Sequence, residues 1–121
     1  MKTIIAGTRT ATREQTLAAI GTCPWRDRIS RVLCGAAQGA DTYGETWAYA
    51  VGLPVDYYEA DWKAHGKAAG PIRNQKMADN AEALILAWDG QSKGSADMLR
   101  RAKAKGLLIY VFNYEAITVA A

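Results

Sequence analysis

The run Ala83-Leu84-Ile85-Leu86-Ala87-Trp88 limits most what this chain can become. Six apolar residues without alternation make a strand-length segment with no polar face. Such a strand belongs in the middle of a parallel sheet that is covered on both sides. The segments around it agree. Residues 2–6, 29–34, 54–58 and 107–112 read as further strands, while 12–20, 41–51, 72–81 and 95–105 read as helices. In the first helix Thr12 is the expected N-cap, Leu17, Ala18 and Ile20 the apolar residues, and Gly21 the stop. In the second, Trp47, Ala48 and Val51 fall on one side, and Gly52 closes it. Residues 60–70 read as an irregular excursion. Strands alternating with helices of about ten residues imply right-handed βαβ crossovers. The expected architecture is α/β, a Rossmann-like three-layer fold with a five-stranded, mainly parallel sheet.

Bulk properties narrow the partners. A chain of 121 residues, half of them apolar, is expected to make one domain over residues 1–121. The net charge of +3 suits an anionic small molecule and is too weak to argue for nucleic acid. Cys23 and Cys34 lack CxxC spacing and each ends an apolar run, so reduced, partly buried thiols in a cytoplasmic protein are expected. No apolar run approaches the ~20 residues of a membrane span, and a strand starts almost at once, so neither a membrane partner nor a signal peptide is expected. His65 is the lone histidine, which leaves no metal cluster to build. No cofactor is expected.

In parallel sheets ligands bind at the carboxyl ends of the strands, near the point where strand order reverses. Three glycine-bearing turns fall at that edge. Gly7-Thr8-Arg9 offers a turn, a hydroxyl and a planar cation; Gly35-x-x-x-Gly39-Ala40-Asp41 offers close backbone approach and a capping carboxylate; Ser92-x-Gly94-Ser95 offers hydroxyls and amides at a helix start. Each also reads as an ordinary strand-to-helix turn. Neither a Walker motif nor a GxGxxG fingerprint is present. Arg73, followed by Asn74, sits in the opening turns of a helix, where a cation opposes the dipole unless an anion intervenes. Asp97, in the first turn of the last helix, is explained by dipole stabilisation and is also the candidate carboxylate for catalysis. Trp62 suits stacking on a base as well as pinning its loop to the core. The basic run Arg100–Lys105 stands where a helix C-terminus favours cations.

Gly7-Thr8-Arg9, Gly35-x-x-x-Gly39-Ala40-Asp41, Ala60-Asp61-Trp62, Gly66-Lys67-Ala68-Ala69-Gly70-Pro71-Ile72-Arg73-Asn74-x-x-Met77 and Trp88-Asp89-Gly90-x-Ser92-Lys93-Gly94-Ser95 together resemble the small stand-alone YspA-like branch of the SLOG superfamily. The resemblance runs from Met1 to about Val111. It implies a Rossmann-like domain that binds nucleotides and nucleotide sugars such as ADP-ribose derivatives, and it implies a homo-oligomer, for which Trp25, Tyr49 and Tyr114 are candidate contacts. The same superfamily holds the Lonely Guy phosphoribohydrolases, whose signature is an Arg-Lys pair on a helix and then Pro-Gly-Gly-x-Gly-Thr-x-Glu. Arg73 matches their arginine, Asn74 stands at the lysine, Gly94-Ser95 at Gly-Thr and Asp97 at the glutamate, while Gly90-Gln91-Ser92 replaces Pro-Gly-Gly. Aspartate is one methylene shorter, and a ~1 Å misplacement can cost about 100-fold in rate. These departures bear on hydrolysis and leave ligand binding intact. The expectation is therefore a protein that sequesters or senses a nucleotide-derived signal, as a sponge in bacterial or phage defence would. The alternative is a phosphoribohydrolase working through Asp97.

Overall fold

The computed structural model describes residues 1–115. Five strands form one sheet: β1 (Lys2–Gly7), β2 (Arg31–Cys34), β3 (Val55–Tyr57), β4 (Ala83–Trp88) and β5 (Leu108–Asn113). Their order is β3-β2-β1-β4-β5, and every pairing is parallel. The all-apolar run is β4, and it lies between β1 and β5 as its composition requires. The helices are α1 (Arg13–Thr22), α2 (Ala40–Ala50), α3 (Trp62–His65), α4 (Ala69–Asn80) and α5 (Lys93–Ala104), with single 3-10 turns at Arg26–Arg28 and Gly66–Ala68.

Alternation along the strands divides the core in two. Ile5, Val32 and Ile85 turn to the layer of Ala19, Ile20 and Ala48 from α1 and α2. Ile4, Leu33, Leu84 and Leu86 turn to the other face, against Met77 and Ala78 of α4 and Met98 and Ala102 of α5. Each fully buried aliphatic side chain contributes about 1.5–3 kcal/mol relative to exposure, so β4 is held from both layers. Cys23 and Cys34 are free and buried, and burial is the main reason both thiols are pushed above their ordinary range. No helix among the described residues is long and apolar enough to cross a membrane.

Several local expectations are corrected. Thr12 does cap α1, in a reciprocal pair with Gln15, but the helix runs through Gly21 to Thr22. Gly21 keeps helical backbone, and a Cβ there would meet nothing within 4 Å. Gly21→Ala is therefore expected to raise stability by about 0.5–1 kcal/mol, measured as a higher urea midpoint at unchanged slope. The buried face of α1 is Thr16, Ala19 and Ile20, an i, i+3, i+4 set, which leaves Leu17 outside. On α2 the buried residues are Ala40, Asp41, Gly44 and Ala48, and Val51 lies in solvent. The 60–70 excursion is largely helical, so α4 begins at Ala69 and Arg73 falls in its second turn. Helix α5 begins at Lys93, two residues earlier than its pattern suggests, which moves Asp97 to the second turn as well. Of the three aromatic residues expected at a contact between copies, Tyr114 is buried, Trp25 is partly buried against the same core and Tyr49 is exposed. The apolar tail expected over residues 117–121 lies outside the described residues.

Candidate functional site

Strand order reverses between β1 and β4, and the turns leaving these strands are tied together there. Thr8 N–H donates to Ala87 O at 3.0 Å, and Thr8 Oγ1 accepts from Asp89 N–H at 3.1 Å. The Thr8 hydroxyl also meets the Asp89 carboxylate and Tyr114. Through these bonds Thr8 acts as a clamp between the two turns. Asp89 Oδ1 accepts from the amides of Gln91 at 2.9 Å and Ser92 at 2.8 Å, and these bonds hold its carboxyl below the usual carboxylate range. This Asx-type turn was not singled out in the sequence; Asp-Gly after a strand was its signal.

The turn delivers the N-terminus of α5 to the switch point. Ser92 occupies the N-cap position, yet its side chain caps nothing. The first intrahelical bond is Ala96 N–H to Ser92 O at 3.1 Å, so the amides of Lys93, Gly94 and Ser95 have no partner within the helix. Ser95 Oγ is buried and finds no partner among the described residues. A Cβ on Gly94 would meet only open space. Orphaned amides, an orphaned hydroxyl and a partial positive charge share one corner, which is the chemistry of an anion site.

Arg73 faces this corner from α4. Its Nη1 donates to Gly35 O at 2.5 Å and its Nε to Asn74 Oδ1 at 3.0 Å. The carbonyl at the end of β2 thus offsets the expected conflict with the α4 dipole. Asn74 Nδ2 donates to Asp97 Oδ2 at 3.0 Å and, longer, to Gly94 O at 3.4 Å. Asp97 also accepts from Arg101 Nε at 2.9 Å and Arg100 Nη2 at 3.1 Å. Burial works to raise its pKa, but the bonds from Arg101 and Asn74 and the two guanidinium charges outweigh it and hold the carboxyl below its ordinary value.

Asp41 is not the N-cap of α2; Gly39 is, and the buried Asp41 carboxylate reaches back to Ala37 N–H at 3.3 Å. Gly35 is squeezed between groups, since a Cβ there would lie 2.5 Å from Arg73 Nη1 and 2.7 Å from Asp41 Oδ2. Gly39, at φ 73°, lets its loop lie on the Thr8 and Arg9 carbonyls, which a Cβ would strike at 2.5 and 2.4 Å. Burial pushes Asp41 up to about 6, against the pull of Arg73, the Ala37 and Gly35 amides and Arg9. The folded chain therefore holds this proton more tightly than the unfolded chain, whose value is near 3.8. Stability from this group is greatest below about pH 4 and falls as pH rises through about 6. Asp97 and Asp89, lowered in the fold, contribute with the opposite sign. Asp41→Asn is expected to gain stability relative to the parent chain between about pH 4 and about pH 7, read from paired urea titrations. A constant difference across that range would show that Asp41 does not titrate there.

A cavity of about 550 Å³ opens at this edge, within the range of small-molecule sites. Gly7, Thr8, Arg9, Asp41, Trp62, Arg73, Asn74, Ser92, Gly94, Ser95 and Asp97 all line it. Gly35 lines a neighbouring, more polar cavity of about 380 Å³ whose wall shares Arg9, Ala37, Trp62 and Arg73. Gly39 lines neither and serves loop packing. Trp62 is 51% exposed, stands over Gly70 and borders both cavities, so it is not buried in the core. Lys93 and Arg100 add cations to the wall that were not expected there, Arg100 having been read with the basic run at the helix C-terminus; its place three residues from Asp97 on a helix is the signal for the i,i+3 pair. No group of three or more His, Cys, Asp or Glu able to hold a metal occurs among the described residues.

A curated relative shares 32% identity over 88 residues, 68% of this chain and 70% of its own: the Gene 61 protein of Mycobacterium phage D29. The chain belongs to the Gene 61 protein family. No family model matches it. Among solved structures, DNA processing protein A (DprA) from Streptococcus pneumoniae superposes with a TM-score of 0.73 at 17% identity over 91% of this chain. The chain spans about half of DprA, 49% of its length. This Gene 61 relative therefore shares the Rossmann-like fold of DprA, with its own cavity at the switch point.

Proposed function

We propose that this Gene 61 relative binds a nucleotide-derived small molecule at the carboxyl edge of its sheet and holds it without turning it over. One observation carries the reading: the uncapped N-terminus of α5, with a buried Ser95 hydroxyl that finds no partner among the described residues, lines the main cavity together with Arg73. A phosphate there would satisfy the amides and the hydroxyl and give the arginine its counter-charge. Arg9, Lys93 and Arg100 border the same space, so a second negative charge is accommodated. The resemblance to the YspA-like branch of the SLOG superfamily supports a ligand of the ADP-ribose or cyclic-nucleotide kind, sequestered as a defence signal. Asp97 bears on turnover. Its two oxygens already accept from Asn74, Arg100 and Arg101, which favours a fixed carboxylate over one free to move a proton.

Catch and release tests this. The chain is incubated with NAD, ADP-ribose, cyclic ADP-ribose isomers, cyclic dinucleotides and N6-substituted AMP, freed of excess ligand and denatured by heat. The expected result is one compound recovered intact by mass spectrometry. Free base with ribose phosphate would instead make the chain a phosphoribohydrolase, and recovery of nothing from the panel would remove the nucleotide reading.

A further inference from the structure

Arginine can only donate hydrogen bonds and an ionised carboxylate can only accept them. Asn74 stands between one of each. Its Oδ1 takes the Arg73 Nε–H at 3.0 Å, and its Nδ2 gives a proton to Asp97 Oδ2 at 3.0 Å. The donor-only and acceptor-only neighbours leave the amide one orientation, since a flipped amide would set N–H against N–H and oxygen against carboxylate. Asp97 is itself fixed by Arg101 Nε at 2.9 Å, and Arg101 Nη1 is braced by Gln75 Oε1 at 2.9 Å. The line thus runs from a braced pair between α4 and α5 to the guanidinium in the cavity wall.

We propose that Asp97 is a positioning residue: it acts through the Asn74 amide to set the direction of the Arg73 guanidinium, and it holds Arg100 at the rim. Without Asp97, Asn74 Nδ2 keeps only its longer bond to Gly94 O at 3.4 Å, so the amide is held less firmly and the Gly35 carbonyl becomes the firmer of the two holds on the Arg73 guanidinium. The Asp41 carboxylate, which lies against the same glycine, then competes for the cation. A lysine at position 74 could not play this part, because an ammonium has no acceptor to offer Arg73. The asparagine therefore makes the carboxylate an anchor for the arginine.

The inference explains how the proposed site is kept ready, and its test needs no ligand, so a failure to find one leaves it decidable. In the full unliganded chain, nitrogen-15 NMR reads the Arg73 Nε–H and the Asn74 side-chain amide, with backbone amides of β1 and β4 reporting the fold. In Asp97→Ala the Arg73 Nε–H is expected to exchange with water about tenfold faster, as loss of roughly one hydrogen bond implies. Asp97→Asn is nearly isosteric and keeps an oxygen acceptor, so it is expected to fold even where the alanine variant does not. There the Asn74 amide and Arg73 Nε–H signals are expected to move together, with exchange close to the parent's. An Arg73 signal that stays in place while the Asn74 signal moves overturns the proposal, as does unchanged Arg73 exchange in a folded Asp97→Ala chain.

Discussion

Replacing Arg73 by alanine is expected to weaken binding of the compound recovered from the chain by roughly 1.5–3 kcal/mol, about 10- to 150-fold in Kd. The magnitude is that of a charge-assisted hydrogen bond removed from a partly enclosed site. Two of the three guanidinium nitrogens are held, by Gly35 and Asn74, so the group meets a ligand with little ordering left to do. Arg73→Lys keeps the charge but has no Nε and no planar fork, so it is expected to recover only a minor part of the loss. Calorimetric titration of the parent and both variants measures this. Unfolding midpoints serve as the control, because Arg73 also braces the end of β2 and is the main charge holding down the Asp41 pKa. Undiminished affinity in a folded Arg73→Ala chain would move the anion site away from the α4–α5 corner.

Gly7→Ala is expected to be the most damaging single methyl group that the site can receive. Its Cβ would lie 2.0 Å from the Ala87 carbonyl oxygen, 2.8 Å from that carbonyl carbon and 2.9 Å from Ala40 Cβ. None of these is a flexible tip. Ala87 belongs to the interior strand β4, and Ala40 opens α2, so relief requires β1 to part from β4 or α2 to lift. The expected cost is about 3 kcal/mol or more, seen as a lower urea midpoint at unchanged slope. A cost below about 1 kcal/mol would mean that the ends of β1 and β4 separate easily, and the switch point would then be a soft joint. Gly7 therefore serves the wall of the site by letting two backbones meet, and any loss of binding in this variant follows from that.

The sheet was legible because its evidence is local. The unbroken apolar run of β4, the alternation in β1 that sends Ile4 and Ile5 to opposite layers, and the glycine-bearing turns can all be read within a few residues. Parallel connections then carry those turns to one edge, which is why most of the expected site residues line one cavity. The misreadings arose where a local signal met a distant neighbour. Gly21 reads as a helix stop, yet α1 continues through it to Thr22, and Arg26 reaches back to bond its carbonyl. Tyr114 reads as surface aromatic and is taken up by the core beneath Thr8.

The sequence by itself determined the fold class, the two layers and the edge at which a ligand would sit, since periodicity and turn chemistry are properties of neighbouring residues. The tertiary structure alone decided what each polar group does there. Thr8 is a clamp, Asp41 a buried carboxylate of raised pKa, Ser95 a hydroxyl without a partner among the described residues, and Asp97 the far end of a line through Asn74 to Arg73. Those roles depend on which donors and acceptors meet across 20 to 80 residues of chain, as Asn74 meets Asp97 and Thr8 meets Asp89. Strand register and helix crossing settle such meetings, and neither is written in any one segment.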